Sequence, residues 1–99
     1  MRLTPSERAT IREVVQAVAG ADSIVRLFGS RTHDFLRGGD IDLLVEVGRA
    51  VDRPVLLGAR IGAQLQQALG DRRIDVLLVA PNVAQQPIHR VARETGIEL

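Results

Sequence analysis

LFGSRTHDFLRGGDIDLLVEV, residues 27–47, joins two apolar runs through a polar segment that contains glycine. The first run ends at Gly29-Ser30, and the second opens with Asp40-Ile41-Asp42. Residues i and i+2 of an extended strand lie on one face, so Asp40 and Asp42 point the same way. Two carboxylates this close repel each other, and a divalent cation between them relieves that repulsion. The spacing therefore predicts a metal-binding pair at the start of a strand.

The turn before this pair predicts a site for phosphate oxygens. Gly29 exposes backbone N–H groups and Ser30 adds a hydroxyl, and both are donors that suit a phosphate. Arg31 follows and either reaches a phosphate or points to solvent. An isolated Gly-Ser would be an ordinary turn at the end of a strand. Next to two carboxylates, however, it gives the combination that nucleotidyl transfer requires.

These motifs together resemble the signature of the polymerase-beta-type nucleotidyltransferase superfamily. They are Gly29-Ser30, a nine-residue spacer that ends in Gly38-Gly39, and the run Asp40-Ile41-Asp42-Leu43-Leu44. The short chain and the sequence FGSR…RGGDIDLLVE resemble its minimal nucleotidyltransferase (MNT) branch. Members of that branch are typically encoded beside a HEPN-domain toxin and act as its antitoxin. The resemblance covers nearly the whole chain, from the first helix to the last strand.

The resemblance implies a reaction and its participants. AMP would pass from ATP to a tyrosine of a cognate HEPN toxin, as in a type VII-like toxin–antitoxin pair. Asp40 and Asp42 would hold one or two Mg²⁺ ions, while Gly29, Ser30 and Arg31 would bind the triphosphate. The chain contains no Tyr, so the acceptor must belong to another molecule.

A third carboxylate is implied on the third strand, Arg73 to Ala80. Asp75 is the only acidic residue of that strand. A carboxylate in an apolar strand is costly to bury unless it is paired or binds a metal. A salt bridge to Arg72 or Arg73 is the ordinary explanation, whereas the resemblance assigns Asp75 to the metal site.

Composition limits the class of protein. With 99 residues the chain is long enough for one domain, and 45% of the residues are apolar, as in an ordinary globular protein. There is no cysteine, which is typical of a reducing cytoplasm, and the polar start MRLTPSERAT predicts no secretory signal. A net charge of +1 gives no reason to expect direct nucleic-acid binding, and no apolar run is long enough for a membrane span.

The order of elements predicts a small α/β (α+β) domain, with a mixed sheet, helices packed mainly on one face and a nucleotidyltransferase fold. Helices are expected from Thr4 to Gly20, from Pro54 to Gly70 and from Pro87 to Thr95. Strands are expected over Ile24–Phe28, Asp40–Val47 and Arg73–Ala80, with a short edge strand over Ile97–Leu99.

Strand periodicity also assigns faces. Along the second strand Ile41, Leu43, Val45 and Val47 should pack on helices, and Asp40, Asp42, Leu44 and Glu46 should line the opposite face. Glu46 lies about 13 Å from Asp42 at about 3.3 Å per residue, too far to share an ion, and is expected to face solvent. In the last helix, Ile88, Val91 and Ala92 are expected inward, and His89, Arg90 and Arg93 outward.

Two other functions remain open at this point. The chain could neutralise a toxin by direct binding, with no catalysis. It could also be a small-molecule nucleotidyltransferase, although it lacks the extra domain that would form an acceptor pocket.

Overall fold

The structure, a computed structural model, describes residues 3–28, 40–70, 73–84 and 86–99, with the backbone alone for Asp40. Within these ranges every predicted helix and strand is present, and the ends agree to within about one residue. In chain order the elements are α1 (Pro5–Ala19), β1 (Ile24–Phe28), β2 (Asp40–Glu46), α2 (Pro54–Leu69), β3 (Arg73–Val79), α3 (Pro87–Thr95) and β4 (Ile97–Glu98).

Local signals explain where the helices begin and end. Each of the three begins with a proline in its first turn, where the missing N–H has no helical acceptor. At α1 the Thr4 hydroxyl accepts from the Glu7 N–H at 3.0 Å, and the Glu7 carboxylate accepts from the Thr4 N–H at 2.8 Å. Gly20 ends α1 at φ +112°, a conformation that favours glycine. None of the helices in the described ranges is long and apolar enough to cross a membrane.

The four strands of the described ranges form one mixed sheet in the order β3-β2-β1-β4. β1 is antiparallel to β2 and to β4, and β2 is parallel to β3. Parallel neighbours need a crossover, which α2 provides. This arrangement confirms the predicted mixed sheet and places β2 in its interior, with β3 at one edge.

Helices cover both faces of the sheet unequally. α1 and α2 pack on the face that carries Ile41, Leu43 and Val45, which are fully buried. α3 packs on the opposite face, where Ala92 contacts a small cluster that includes Leu44 and Phe28. With two helices on one side and a short one on the other, the predicted packing mainly on one face is confirmed.

The predicted faces of α3 were partly wrong. Ala92 is buried and Arg90 and Arg93 are exposed, as predicted, but Ile88 and Val91 are about half exposed and His89 is buried. His89 can be buried because its imidazole forms a local hydrogen bond: Nδ1 accepts from the Gln86 backbone N–H at 3.0 Å. The imidazole therefore caps the first turn of α3, and the helix is turned so that this cap faces the sheet.

Gly58 and Gly62 of α2 face β3, but the packing of the helix on the strand does not require glycine at either position. A Cβ built on Gly58 would stand 3.9 Å from the Val76 carbonyl oxygen, and one on Gly62 would stand 3.9 Å from Val76 Cγ2. Both distances are ordinary van der Waals contacts. Alanine would therefore fit at either position.

We therefore predict that Gly58→Ala and Gly62→Ala each stabilise the fold by about 1 kcal/mol, because alanine favours the helix over glycine by that amount. Urea denaturation measures the change. Gly96→Ala is the opposing control, since its Cβ would lie 2.4 Å from the Ala92 carbonyl oxygen and must force a shift of the backbone. Destabilisation by either α2 substitution would mean that α2 lies closer to β3 than described.

Candidate metal and nucleotide site

Three strand ends meet at one end of the sheet. The carboxyl end of β1 lies beside the amino ends of β2 and β3, because β1 is antiparallel to β2 and β3 is parallel to it. Phe28, the residue before Gly29, pairs with Asp42. Asp42 in turn pairs with Asp75 across the parallel ladder. The pairing thus brings two of the predicted carboxylates to neighbouring positions, beside the strand that leads into the Gly-Ser motif.

Asp42 and Asp75 lie on the same face of the sheet. Asp42 shares its side of β2 with Leu44, and Asp75 shares its side of β3 with Leu77, and both leucines belong to the cluster under α3. Their environments differ. Asp42 is buried, with 9% of its surface exposed, whereas the side chain of Asp75 is 54% exposed. The pair therefore has an inner and an outer carboxylate.

The remaining predicted site residues are only partly covered by the structure. The backbone of Asp40 opens β2 and pairs with Arg73, which places it two residues before Asp42 on the same face. Its side chain is not described. Gly29, Ser30 and Arg31, the predicted nucleotide-binding residues, lie outside the described residues, so their assignment stays a prediction.

Arg73 joins the site as a basic residue. Its Nε lies 3.7 Å from an Asp75 carboxylate oxygen, and both side chains are more than half exposed. Arg73 is one of the two arginines that the sequence offered as partners for Asp75, and the other, Arg72, lies outside the described residues. The signal was the i, i+2 spacing of Arg73 and Asp75, which places both side chains on one face of a strand. An exposed pair of this kind contributes little to stability, so Arg73 leaves Asp75 available to another cation.

Glu46 does not face solvent as predicted. Its side chain is 22% exposed and forms ion pairs with Arg26 of β1 and, at 3.5 Å, with Arg93 of α3. All three residues lie between the sheet and α3. Glu46 is thus an anchor for α3 at the far end of β2, and its distance from Asp42 along the strand keeps it out of the carboxylate pair.

The chemistry of the pair fits a hard divalent cation. Mg²⁺ prefers oxygen ligands and is commonly held by one or two carboxylates together with substrate phosphates. Asp42 and Asp75 offer such oxygens from neighbouring strands, and the exposure of Asp75 leaves the pair open to a ligand. Among the residues whose side chains are described, no three metal-ligating groups come together. The described part of the site thus provides two of the three predicted carboxylates, enough for an ion that takes its other ligands from phosphate and water.

Neither the protein-family models nor the curated proteins contain a match to this chain. The site is therefore interpreted from its own residues.

We predict that Mg²⁺ or Mn²⁺ raises the melting temperature of the chain and that Asp75→Asn abolishes this rise. An ion present at about ten times its Kd would stabilise the folded state by about 1.4 kcal/mol, which is several degrees of Tm for a domain of this size. Differential scanning calorimetry with and without the ion measures the shift.

Asp52→Asn is the matched control, because the Asp52 side chain is 99% exposed and lies at the start of α2, outside the carboxylate pair. It should keep the full response to the ion. An equal response from both variants would remove Asp75 from the metal site.

Proposed function

We propose that this chain is a Mg²⁺-dependent nucleotidyltransferase that moves AMP from ATP to a hydroxyl group of another protein. The observation that carries the proposal is the pairing of Asp42 with Asp75 on one face of adjacent strands, beside the strand end that leads into Gly29-Ser30. Oxygen ligands for a cation next to donors for phosphate oxygens are the parts that phosphoryl-group chemistry needs.

The proposed roles follow from position and burial. Asp42, with Asp40 two residues before it, would hold the ion, and Asp75 would complete the site from the neighbouring strand. Bound Mg²⁺ supplies charge neutralisation and orientation of the triphosphate. Gly29 and Ser30 would bind phosphate oxygens, and Arg31 would pair with a phosphate. Arg73, next to Asp75, would add a positive charge that stabilises the negative charge developing on the leaving pyrophosphate.

The reaction balances without any further reagent. The acceptor oxygen forms a bond to the α-phosphorus of ATP, and the bond from that phosphorus to the bridging oxygen of the β-phosphate breaks. Pyrophosphate leaves with the electron pair of the broken bond. The hydroxyl proton passes to the exposed carboxylate of Asp75 or to water. The chain itself needs only to position the reactants and neutralise charge.

The acceptor we propose is a tyrosine of a cognate HEPN-domain toxin, which would make the chain an antitoxin acting in the cytoplasm. The resemblance of the FGSR…RGGDIDLLVE stretch to minimal nucleotidyltransferases supports this choice. The absence of Tyr from the sequence agrees with an acceptor on a partner.

A second function, neutralisation of the toxin by binding alone, has an observation in its favour. The Arg73–Asp75 ion pair accounts for an acidic residue in β3 without a metal. A chain that only covers its partner would need neither ATP nor the carboxylates. The two functions therefore differ in what they require of Asp75.

We predict that ATP binds in the presence of Mg²⁺ and that EDTA, or the pair of changes Asp40→Asn and Asp42→Asn, weakens this binding strongly. Removing the carboxylates removes the ligands that hold the ion against the triphosphate. Isothermal titration calorimetry measures the affinity, and Asp52→Asn is the control for the loss of a carboxylate at an exposed position outside the site. Equal affinity with and without EDTA would contradict a metal-dependent site.

We further predict that a HEPN-domain protein is encoded beside this chain, and that incubating the two proteins with ATP and Mg²⁺ adds AMP units to the HEPN-domain protein. Asp75→Asn should abolish the transfer and keep the fold, because Asn is nearly isosteric with Asp and still forms hydrogen bonds. Intact-mass spectrometry measures the addition, and a growth assay in cells that express both proteins measures neutralisation. Rescue of growth by Asp75→Asn without any added mass would establish neutralisation by binding and refute the enzymatic function.

A further inference from the structure

β3 is an edge strand with no ordinary protection at its apolar end. Within the described residues its strand partner is β2 alone, so one side of its backbone has N–H and C=O groups without a strand beside them. Edge strands are usually protected by charges, prolines, bulges or short length. β3 is seven residues long and regular throughout, and its last four residues, Val76 to Val79, carry neither charge nor proline.

A groove of about 560 Å³ runs beside this edge, between β3 and α2. The middle of its helical wall is formed by small residues, namely Gly58, Ala59, Gly62 and Ala63, and larger residues of α2 lie at its two ends. The two glycines are not needed for the packing of α2 on β3, since a Cβ at either position would meet only ordinary contacts. They lower the helix propensity of α2, and their effect on the surface is to keep the groove deep.

The groove reaches the candidate site. Asp75 belongs to its lining and is the charged residue among the described residues that form it. The groove lies on the α2 side of β3, whereas the Asp75 side chain lies on the other face of the same strand, so a segment laid along this edge would meet both.

We propose that this groove and the open edge of β3 bind an extended segment of the acceptor protein, which adds as a strand next to β3. The open strand edge and the groove are the observations that support a binding surface here. Its role in AMP transfer rests on the proposed function. A row of alternating backbone donors and acceptors is matched by another polypeptide in extended conformation. A nucleic-acid strand is less favoured, since the described residues of the lining offer no positive charge to its phosphates.

A second copy of this chain fits less well than a different protein. A copy related by a two-fold axis would present the same concave groove, so neither groove would fill the other. Tight interfaces are packed as densely as protein interiors, which requires a partner with protruding side chains.

The geometry of an added strand defines the pattern of the segment. Alternate side chains of a strand point to opposite faces. One set would enter the groove against α2, and the other set would lie on the face that carries Asp42 and Asp75. A hydroxyl residue directly or diagonally opposite Asp75 is within reach of its carboxylate. The acceptor residue should therefore have apolar neighbours at −1 and +1, both in the groove.

The test uses short synthetic peptides with a central tyrosine between two valines, and three comparison peptides. The first replaces Tyr with Phe, the second moves the valines to −2 and +2, and the third carries N-methyl groups on alternate backbone nitrogens. Fluorescence anisotropy gives affinities, and amide chemical shifts of residues 73–79 locate the site. The Tyr and Phe peptides should bind alike, and the other two should lose at least about tenfold in affinity because they lose the groove contacts or the ladder hydrogen bonds.

Variants of the chain complete the test. Ala59→Glu with Ala63→Glu should abolish peptide binding, whereas Gln67→Glu with Ala68→Glu, which adds the same charge at exposed positions of α2 outside the groove, should not. Gly58→Ala with Gly62→Ala should weaken binding in a chain that is more stable than the wild type, which separates binding from folding.

The proposal would be overturned if the groove variants bound the peptide with unchanged affinity, or if N-methylation of the peptide left its affinity unchanged. So would a failure of the tyrosine peptides to bind, or a dimer of the free chain with its β3 amides already protected from hydrogen exchange. ATP titration of the same samples with Mg²⁺ separates the two proposals. Peptide binding without ATP binding would refute the transferase function and support the groove as a peptide-binding site. ATP binding without peptide binding would refute the groove as a peptide-binding site and leave the transferase function standing.

Discussion

The register between β2 and β3 is the constraint on which the site depends. Asp42 stands beside Asp75 because the two parallel strands pair from Asp40–Arg73 to Glu46–Val79 without a bulge. The same register places Ile41, Leu43 and Leu78 in the core under α1 and α2. A slip by one residue would turn every side chain of a strand to the other face, carrying a carboxylate into that core. The apolar pattern that forms the core therefore also holds the carboxylates together.

The elements of the fold were predictable because their signals are local. A capping box at Thr4, a proline at the start of each helix and the alternation along β2 lie within a few residues of the features they specify. The candidate site was harder to predict from the sequence. Asp40 and Asp42 are linked by spacing alone, but the position of Asp75 beside them depends on a pairing across the α2 crossover. Spacing does not reveal that pairing, and the resemblance of the motif supplied it.

The errors concern side chains whose surroundings come from distant parts of the chain. Glu46 looked solvent-facing because its own strand offers no partner, yet Arg26 and Arg93 reach it from β1 and α3. Ile88 and Val91 of α3 were expected to face inward because they are apolar, yet both are about half exposed and the polar His89 is buried. The cap formed by His89 and the Glu46–Arg93 pair fix the orientation instead. The orientation of α3 is thus set by polar contacts and could not be predicted from hydrophobic periodicity.

Position in the sheet gives the two carboxylates different chemistry. Asp42 lies on the interior strand β2 and is buried, whereas Asp75 lies on the edge strand β3 and its side chain is more than half exposed. A buried carboxylate with few rotamers open to it is suited to hold an ion in a fixed place. An exposed one can meet a second reactant and exchange a proton with it. Edge position accounts for both roles proposed for Asp75, since β3 places it beside Asp42 and leaves its outer side without a strand among the described residues.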